Sequence, residues 1–229
     1  MMEEKSAKSK EIWVTKFDED SAQKFRNAIM AESSDDPLKP IIVYIDSYGG
    51  YVDSLAKMIE TLDEVPNPII TACVGKAMSC GAILLSHGDL RFCGRHSRIM
   101  VHEVSSGTSG DVHDVANDAQ ETTRLNQHFM GLLARNCGFK NYDEIRALIK
   151  KQDGKDRYLS AHSAVEFGIV DAIGLPQVNL LLTHEIRVAP QKKSLSDGRQ
   201  SALLTKKSES KKQKKGANNG KRNKNRRAK

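Results

Sequence analysis

The sequence predicts an α/β domain built on a mostly parallel sheet, and three observations carry that expectation. Ile41–Ile45 is a continuous, mostly β-branched run, the mark of a strand buried on both faces. It leads through Gly49 and Gly50 into a segment whose apolar residues (Val52, Leu55, Ala56, Ile59, Leu62) keep helical spacing. The same order of strand, turn and helix recurs from Ile69 to Leu85. Parallel neighbours need a crossover, and a helix is the usual one. In such sheets ligands gather at the carboxyl ends of the strands, where both turns fall.

The remaining elements follow in order. Residues 1–11 form a short charged lead, expected to be mobile. Ile12-Trp13-Val14 begins a strand. Asp20-Ser21 is a candidate cap for a helix with Ala22, Phe25, Ala28 and Ile29 on one face. Ser33–Pro37 reads as a loop, and Pro66 and Pro68 break the chain before the second unit. Arg91–Cys93 and Ile99–His102 read as short strands. A long helix is predicted from Asp111 to Asn136 on Val115, Ala119, Leu125, Phe129, Leu132 and Leu133. Tyr142–Lys150 is a short helix, Gln152–Lys155 a turn, Leu159–Phe167 a helix and Ile169–Ile173 a last strand. The expected domain covers residues 12–190, with a tail from 191 to 229.

The 229 residues, 38% of them hydrophobic, suffice for one domain with a substantial core. No apolar run approaches a bilayer span, so no membrane segment is expected. The N-terminus has no secretory h-region. Cys73, Cys80, Cys93 and Cys137 form no C-x-x-C pair, which points to free thiols and a reducing, cytoplasmic compartment. The net charge of +7 is unevenly spread. Residues 191–229 hold 15 Lys and Arg against 2 Asp and Glu, leaving a mildly acidic remainder of 21 basic and 27 acidic residues. So basic and apolar-poor a tail cannot fold alone. It is either a solvated extension or a contact for nucleic acid or an acidic protein. It has no aromatic residue to stack on bases, which argues against sequence-selective readout.

The stretch with most chemical promise is Val74–Ser86. Ser79 sits where an apolar strand gives way to the buried helix Gly81–Leu85. A hydroxyl there faces unpaired backbone N–H groups, which suits an acyl-transfer nucleophile whose oxyanion needs donors. Taken alone, this stretch favours reading Ser79 as a plain N-cap, and the rest of the chain must shift that. Of seven histidines, His102 is the best candidate base, because it ends the apolar run Ile99-Met100-Val101. His87, His96, His113, His128, His162 and His184 lie in polar, loop or helix-surface contexts. His102-Glu103 does not continue as H-E-x-x-H, and no other cluster has metal-ligand spacing. No metal is expected, and no cofactor. The phosphate-binding G-x-x-x-x-G-K-[ST] loop is absent, so any ATP dependence must come from a partner.

Four motifs in order, S-Y-G-G (47–50), A-M-S-C-G-A (77–82), R-I-M-V-H (98–102) and D-R-Y-L-S-A-x-x-A-V-E-F-G-I-V-D (156–171), resemble the proteolytic subunit of the Clp protease over roughly Ile12 to Ile173. The resemblance implies a crotonase-like, Clp-protease-like α/β spiral of repeated β-β-α units with a projecting handle helix, matched by residues 111–136. It implies Ser79 as nucleophile, His102 as general base, Asp156 as the third triad member, and the backbone N–H groups of Gly50 and Cys80 as the oxyanion hole. It further implies a homo-oligomeric ring, a heptamer or double heptamer, acting on polypeptide substrates with an AAA+ unfoldase as partner.

The sequence departs from the family at three places. Tyr48 replaces the usual proline of S-P-G-G, which is expected to loosen that turn. Gly154 and Lys155 stand where an acidic–Arg pair usually links two rings, and the lead before Ile12 is short. Such departures suit a divergent, phage-encoded member. Three functions therefore stay open: a compartmentalised serine endopeptidase of unfolded polypeptides, a phage head-maturation protease of the same fold, and a catalytically inactive structural ring partner.

Overall fold

A computed structural model describes residues 11–150 and 156–176. Every described residue belongs to one compact unit. The lead expected to be mobile (residues 1–10), the turn expected at 152–155, residues 177–190 and the basic tail lie outside the described residues.

The elements run β1 (Ile12–Val14), α1 (Glu19–Asp35), β2 (Ile41–Ser47), α2 (Val52–Glu64), β3 (Ile69–Met78), α3 (Cys80–Ser86), β4 (Leu90–Cys93), β5 (Arg98–His102), α4 (Val112–Cys137), α5 (Tyr142–Lys150), β6 (Asp156–Leu159), α6 (Ala161–Glu166) and β7 (Ala172–Ile173). Strands β1, β2, β3, β4 and β7 are parallel neighbours in that order; β5 pairs parallel with β3, and β6 pairs antiparallel with β5. The fold is therefore the expected mixed α/β type with a mostly parallel sheet.

The long strand β3 organises the site. Its first half pairs with β4 at Ile70–Cys73, and its second half pairs with β5 at Lys76–Met78. The change of partner falls at Gly75, whose φ of +90° an L side chain rarely adopts, and a Cβ there would press on Asp46 Oδ1 at 3.0 Å. The strand bends there and runs on to Met78. That extension delivers Ser79 beside the strand that ends in His102.

The core joins alternate residues of the sheet (Ile12, Val14, Val43, Ile45, Cys73) to Ala22, Phe25 and Ile29 of α1, Leu55, Met58 and Ile59 of α2, and Leu84 and Leu85 of α3. All seven residues of α3 are buried, so the helix that follows Ser79 is held on every side. Burying each large aliphatic side chain stabilises by roughly 1.5–3 kcal/mol, which holds α3 firmly in place. On the other side of the ladder, Trp13 stacks on Tyr44 at 5.0 Å, and Ile42, Tyr44 and Asp46 are only half-buried. Strand β2 is thus covered on one face, where both were expected to be.

Several boundaries differ from the sequence reading for local reasons. Helix α1 is capped by Asp18, not by Asp20 or Ser21. Asp18 Oδ1 accepts from the Ser21 N–H at 2.8 Å and Ser21 Oγ accepts from the Asp18 N–H at 3.0 Å, a reciprocal pair that satisfies two orphan donors. The helix then runs to Asp35, through residues read as loop. Leu159 belongs to β6, because pairing with Ile99 claims its backbone, and α6 begins only after Ser160. Helix α4 has the expected extent, with Asp111 as N-cap and Gly138 in the left-handed C-cap position. Its buried residues are Phe129, Met130, Leu133 and Ala134; Val115 and Ala119, read as core, are exposed. Arg91 locks the far end of the domain, bonding Asp171 through Nε (3.1 Å) and Nη2 (2.5 Å), and the carbonyls of Asn136 and Gly168 through Nη1 (2.9 and 2.7 Å).

Candidate active site

Ser79 is the single non-glycine residue with positive φ among the described residues, at φ 55° and ψ −120°. An L residue held there stores strain of order 1–3 kcal/mol, and the surroundings must over-determine it. They do: the Ser79 N–H donates to the Met100 carbonyl at 2.9 Å, and its own carbonyl accepts from Ala82 (3.0 Å) and Ile83 (3.3 Å) in the first turn of α3. The strained step between strand and helix lifts the hydroxyl out of the sheet, the device of a nucleophile elbow. The side chain makes no capping bond to the helix, so Ser79 is not a plain N-cap.

Its hydroxyl meets His102 instead. His102 Nε2 lies 2.8 Å from Ser79 Oγ. The imidazole is carried by the last residue of β5, and β5 is registered on β3 with Met78 opposite Met100. Nucleophile and base thus come from strands hydrogen-bonded to each other, which fixes their separation through the ladder.

Asp156 is the first residue of β6 and stands directly opposite His102 in the antiparallel register. Residues so paired share one face, with Cβ atoms about 4.5–5.5 Å apart. The side chain is solvent-exposed, and no hydrogen bond joins it to His102 among the described residues. The structure therefore brings two of the three triad candidates into contact and sets the third alongside.

The two candidate oxyanion donors converge as well. The turn after β2 packs on the turn after β3 so tightly that a Cβ on Gly49 would stand 2.8 Å from Ser79 Cβ and 2.9 Å from the Met78 carbonyl oxygen. Gly50 has φ +153°, and a Cβ there would overlap the carbonyl oxygen of Phe17. Both glycines are needed for conformation and for close approach. The Gly50 and Cys80 N–H groups have no hydrogen-bond acceptor among the described residues, and the latter opens a helix, where amides lack intrahelical partners.

Three features here were not legible in the motifs. The first is Tyr48, which stands where the family has proline: Lys76 Nζ sits 4.5 Å over its ring while donating to Asp46 Oδ1 at 2.7 Å. The expected loosening of the turn is met by this contact and by the Gly49 N–H donating to the buried Ser47 Oγ at 3.1 Å. The second is the Cys80 thiol, which donates to the Gly50 carbonyl at 3.2 Å. Burial pushes that thiol's pKa up, as it does for Cys73 and Cys137, each raised to about 12, so none is a thiolate nucleophile near neutral pH.

The third is a polar cluster next to His102. Glu103 Oε1 accepts from Tyr142 Oη at 2.5 Å, Arg146 Nε at 3.1 Å and Asn126 Nδ2 at 3.4 Å, while Asn126 Oδ1 accepts from the Val104 N–H at 2.9 Å. The Tyr142 hydroxyl holds the Glu103 carboxyl below its usual range, and burial raises the Tyr142 phenol above its own. Helices α4 and α5 are thereby tied to the end of β5.

Of the other histidines, His87 was read as a polar-context residue but is buried, with Nε2 2.9 Å from Asp63 Oδ1. A cavity between β1 and α1, lined by Trp13, Lys16, Phe25 and Met58 among others, includes none of the site residues. Among the described residues no group of three or more His, Cys, Asp or Glu could hold a metal ion, and no helix is long and apolar enough to cross a membrane.

A hydroxyl on a strained turn, an imidazole in bonding reach, and two free amides beside them are the parts that acyl transfer requires. The family model described as Clp protease matches residues 4–177, most of the chain and all of the described site. The chain belongs to the Clp protease family and is a peptidase of that type.

Proposed function

We propose that this protein is a serine endopeptidase that hydrolyses peptide bonds of unfolded polypeptides, with Ser79 as nucleophile, His102 as general base and Asp156 as the residue that orients it. The observation that carries this reading is the 2.8 Å contact between His102 Nε2 and Ser79 Oγ, at the one strained non-glycine residue among those described. His102 takes the hydroxyl proton as Oγ attacks the scissile carbonyl, and returns it to the leaving amine. The Gly50 and Cys80 amides receive the oxyanion; one such donor is typically worth about 3 kcal/mol of barrier. Asp156 completes the set when its exposed carboxylate turns to accept the Nδ1 proton of the facing imidazole. That turn needs a rotamer change, since the strands already hold the two residues opposite each other. The contact between Ser79 and His102 favours this reading over an inactive structural role.

The reading extends to assembly. We assign the working form to a homo-oligomeric ring, heptameric singly or doubly stacked, that receives unfolded chains from an AAA+ unfoldase. The family membership supports this, and the four free cysteines support a reducing, cytoplasmic setting. The basic tail (191–229) is the contact for nucleic acid or an acidic protein. Hydrolysis of a fluorogenic peptide and of a denatured polypeptide, by the wild type and by Ser79→Ala, tests the activity. The wild type should cleave both, and Ser79→Ala neither. Equal cleavage by the two would remove Ser79 from the chemistry.

A further inference from the structure

We infer that the Cys80 side chain is a positioning residue for the oxyanion hole, holding the Gly50 turn so that its amide aims at the oxygen of the carbonyl that Ser79 attacks. This inference rests on the peptidase reading above and adds a role for a side chain that the reading leaves unused.

The peptide that carries the Gly50 N–H joins Gly49 to Gly50, and its own amide has no acceptor among the described residues. The planes on either side are both tied. Before it, the Gly49 N–H donates to Ser47 Oγ at 3.1 Å, and Ser47 is fully buried. After it, the Gly50–Tyr51 plane is held at both ends: the Tyr51 N–H donates to the Phe17 carbonyl at 2.8 Å, and the Gly50 carbonyl accepts from Cys80 Sγ at 3.2 Å. Phe17 and Ser47 anchor the turn to the sheet. Cys80 is different, because it belongs to the other half of the oxyanion hole. Its amide is the second donor, and its thiol reaches across to the backbone that presents the first.

Two glycines at φ +102° and +153° leave this turn with more conformational freedom than any other residue pair would. The tie from Cys80 removes that freedom along the direction that matters, the distance between the two amides. The thiol is buried and its pKa is raised, so it stays protonated and able to donate. Pre-set donors lower a barrier because they need no reorganisation when charge develops, so loosening one should weaken transition-state binding and spare substrate binding.

The test compares Cys80→Ala, which removes the donor, with Cys80→Ser, which keeps one on a shorter arm. Each is measured for kcat and KM on a fluorogenic peptide and for inhibition by a peptide boronate, whose tetrahedral adduct fills the oxyanion hole. Thermal melts confirm that the variants compared are folded; Cys80→Val, also lacking a donor, replaces Cys80→Ala if that variant is not. Loss of one modest hydrogen bond predicts a roughly three- to ten-fold fall in kcat with KM unchanged. Boronate affinity should fall by the same factor, and Cys80→Ser should recover most of both. Unchanged kcat in Cys80→Ala overturns the assignment. So does a loss that Cys80→Ser fails to relieve, since the cause is then shape and not donation. A wild type that neither cleaves the peptide nor binds the boronate overturns the peptidase reading itself, and this inference with it.

Discussion

At the scale of single residues, the site depends on backbone conformations that side chains oppose. Ser79 adopts a dihedral pair suited to glycine, and it is held there by the Met100 carbonyl and by the first turn of α3. Gly50 is open to no substitution, because any Cβ would overlap Phe17. We predict that Gly50→Ala lowers stability by about 1–3 kcal/mol in denaturant melts and lowers kcat further still, since the chain must move the amide to relieve the overlap. His102→Ala should lower kcat by about 10⁶-fold with KM little changed, because the imidazole acts on the proton and not on substrate binding. Steady-state kinetics on a short peptide would check both.

At the scale of elements, the site sits where four segments meet: the turn after β2, the end of β3, the end of β5 and the start of β6. Helices α4 and α5 are joined to it through Glu103, Tyr142 and Asn126. Tyr142→Phe removes the shortest of these bonds and should cost about 1 kcal/mol near neutral pH. The sign of its pH dependence follows from Glu103. The Tyr142 hydroxyl depresses the Glu103 pKa in the fold, so that stabilisation is fully present above the ordinary glutamate value of about 4.3 and is lost as pH falls through the depressed value. Wild type and Tyr142→Phe should therefore differ in stability at pH 7 and converge in acid; a gap that persists in acid would mean that the bond does not act through the ionised carboxylate.

Much at this scale was legible beforehand. The β-branched run at 41–45, the glycine pair and the serine between strand and helix carry their conformational reasons in their residue types, and the four motifs fixed their order. What stayed hidden depends on contacts between distant segments. Nothing near Gly75 says that β3 changes partner there, nothing in Cys80 says that its thiol faces Gly50, and nothing in Tyr48 announces a lysine 28 residues on over its ring. The Asp18 cap was missed because Asp20-Ser21 carries the same cap chemistry two residues later. The Leu159 assignment failed because helical and strand spacing are indistinguishable over so short a run.

At the scale of the whole molecule, the proposed ring assembly and the proposed role of the basic tail can each be tested. Native mass spectrometry of the purified full-length chain should show a seven-fold oligomer or its double, and a monomer at micromolar concentration would contradict the ring. Removing residues 191–229 should leave peptide cleavage intact and abolish binding to a polyanion column. Elution of the full chain should fall at lower salt as basic residues are removed, since counterion release scales with their number. The claim on which the rest depends is that Ser79 is a nucleophile activated by His102, and labelling with a fluorophosphonate followed by peptide mapping tests it most directly. The account predicts a single adduct on Ser79 in the wild type, none in Ser79→Ala, and a much slower one in His102→Ala. An adduct that forms as fast without His102, or that appears on another residue, would contradict it.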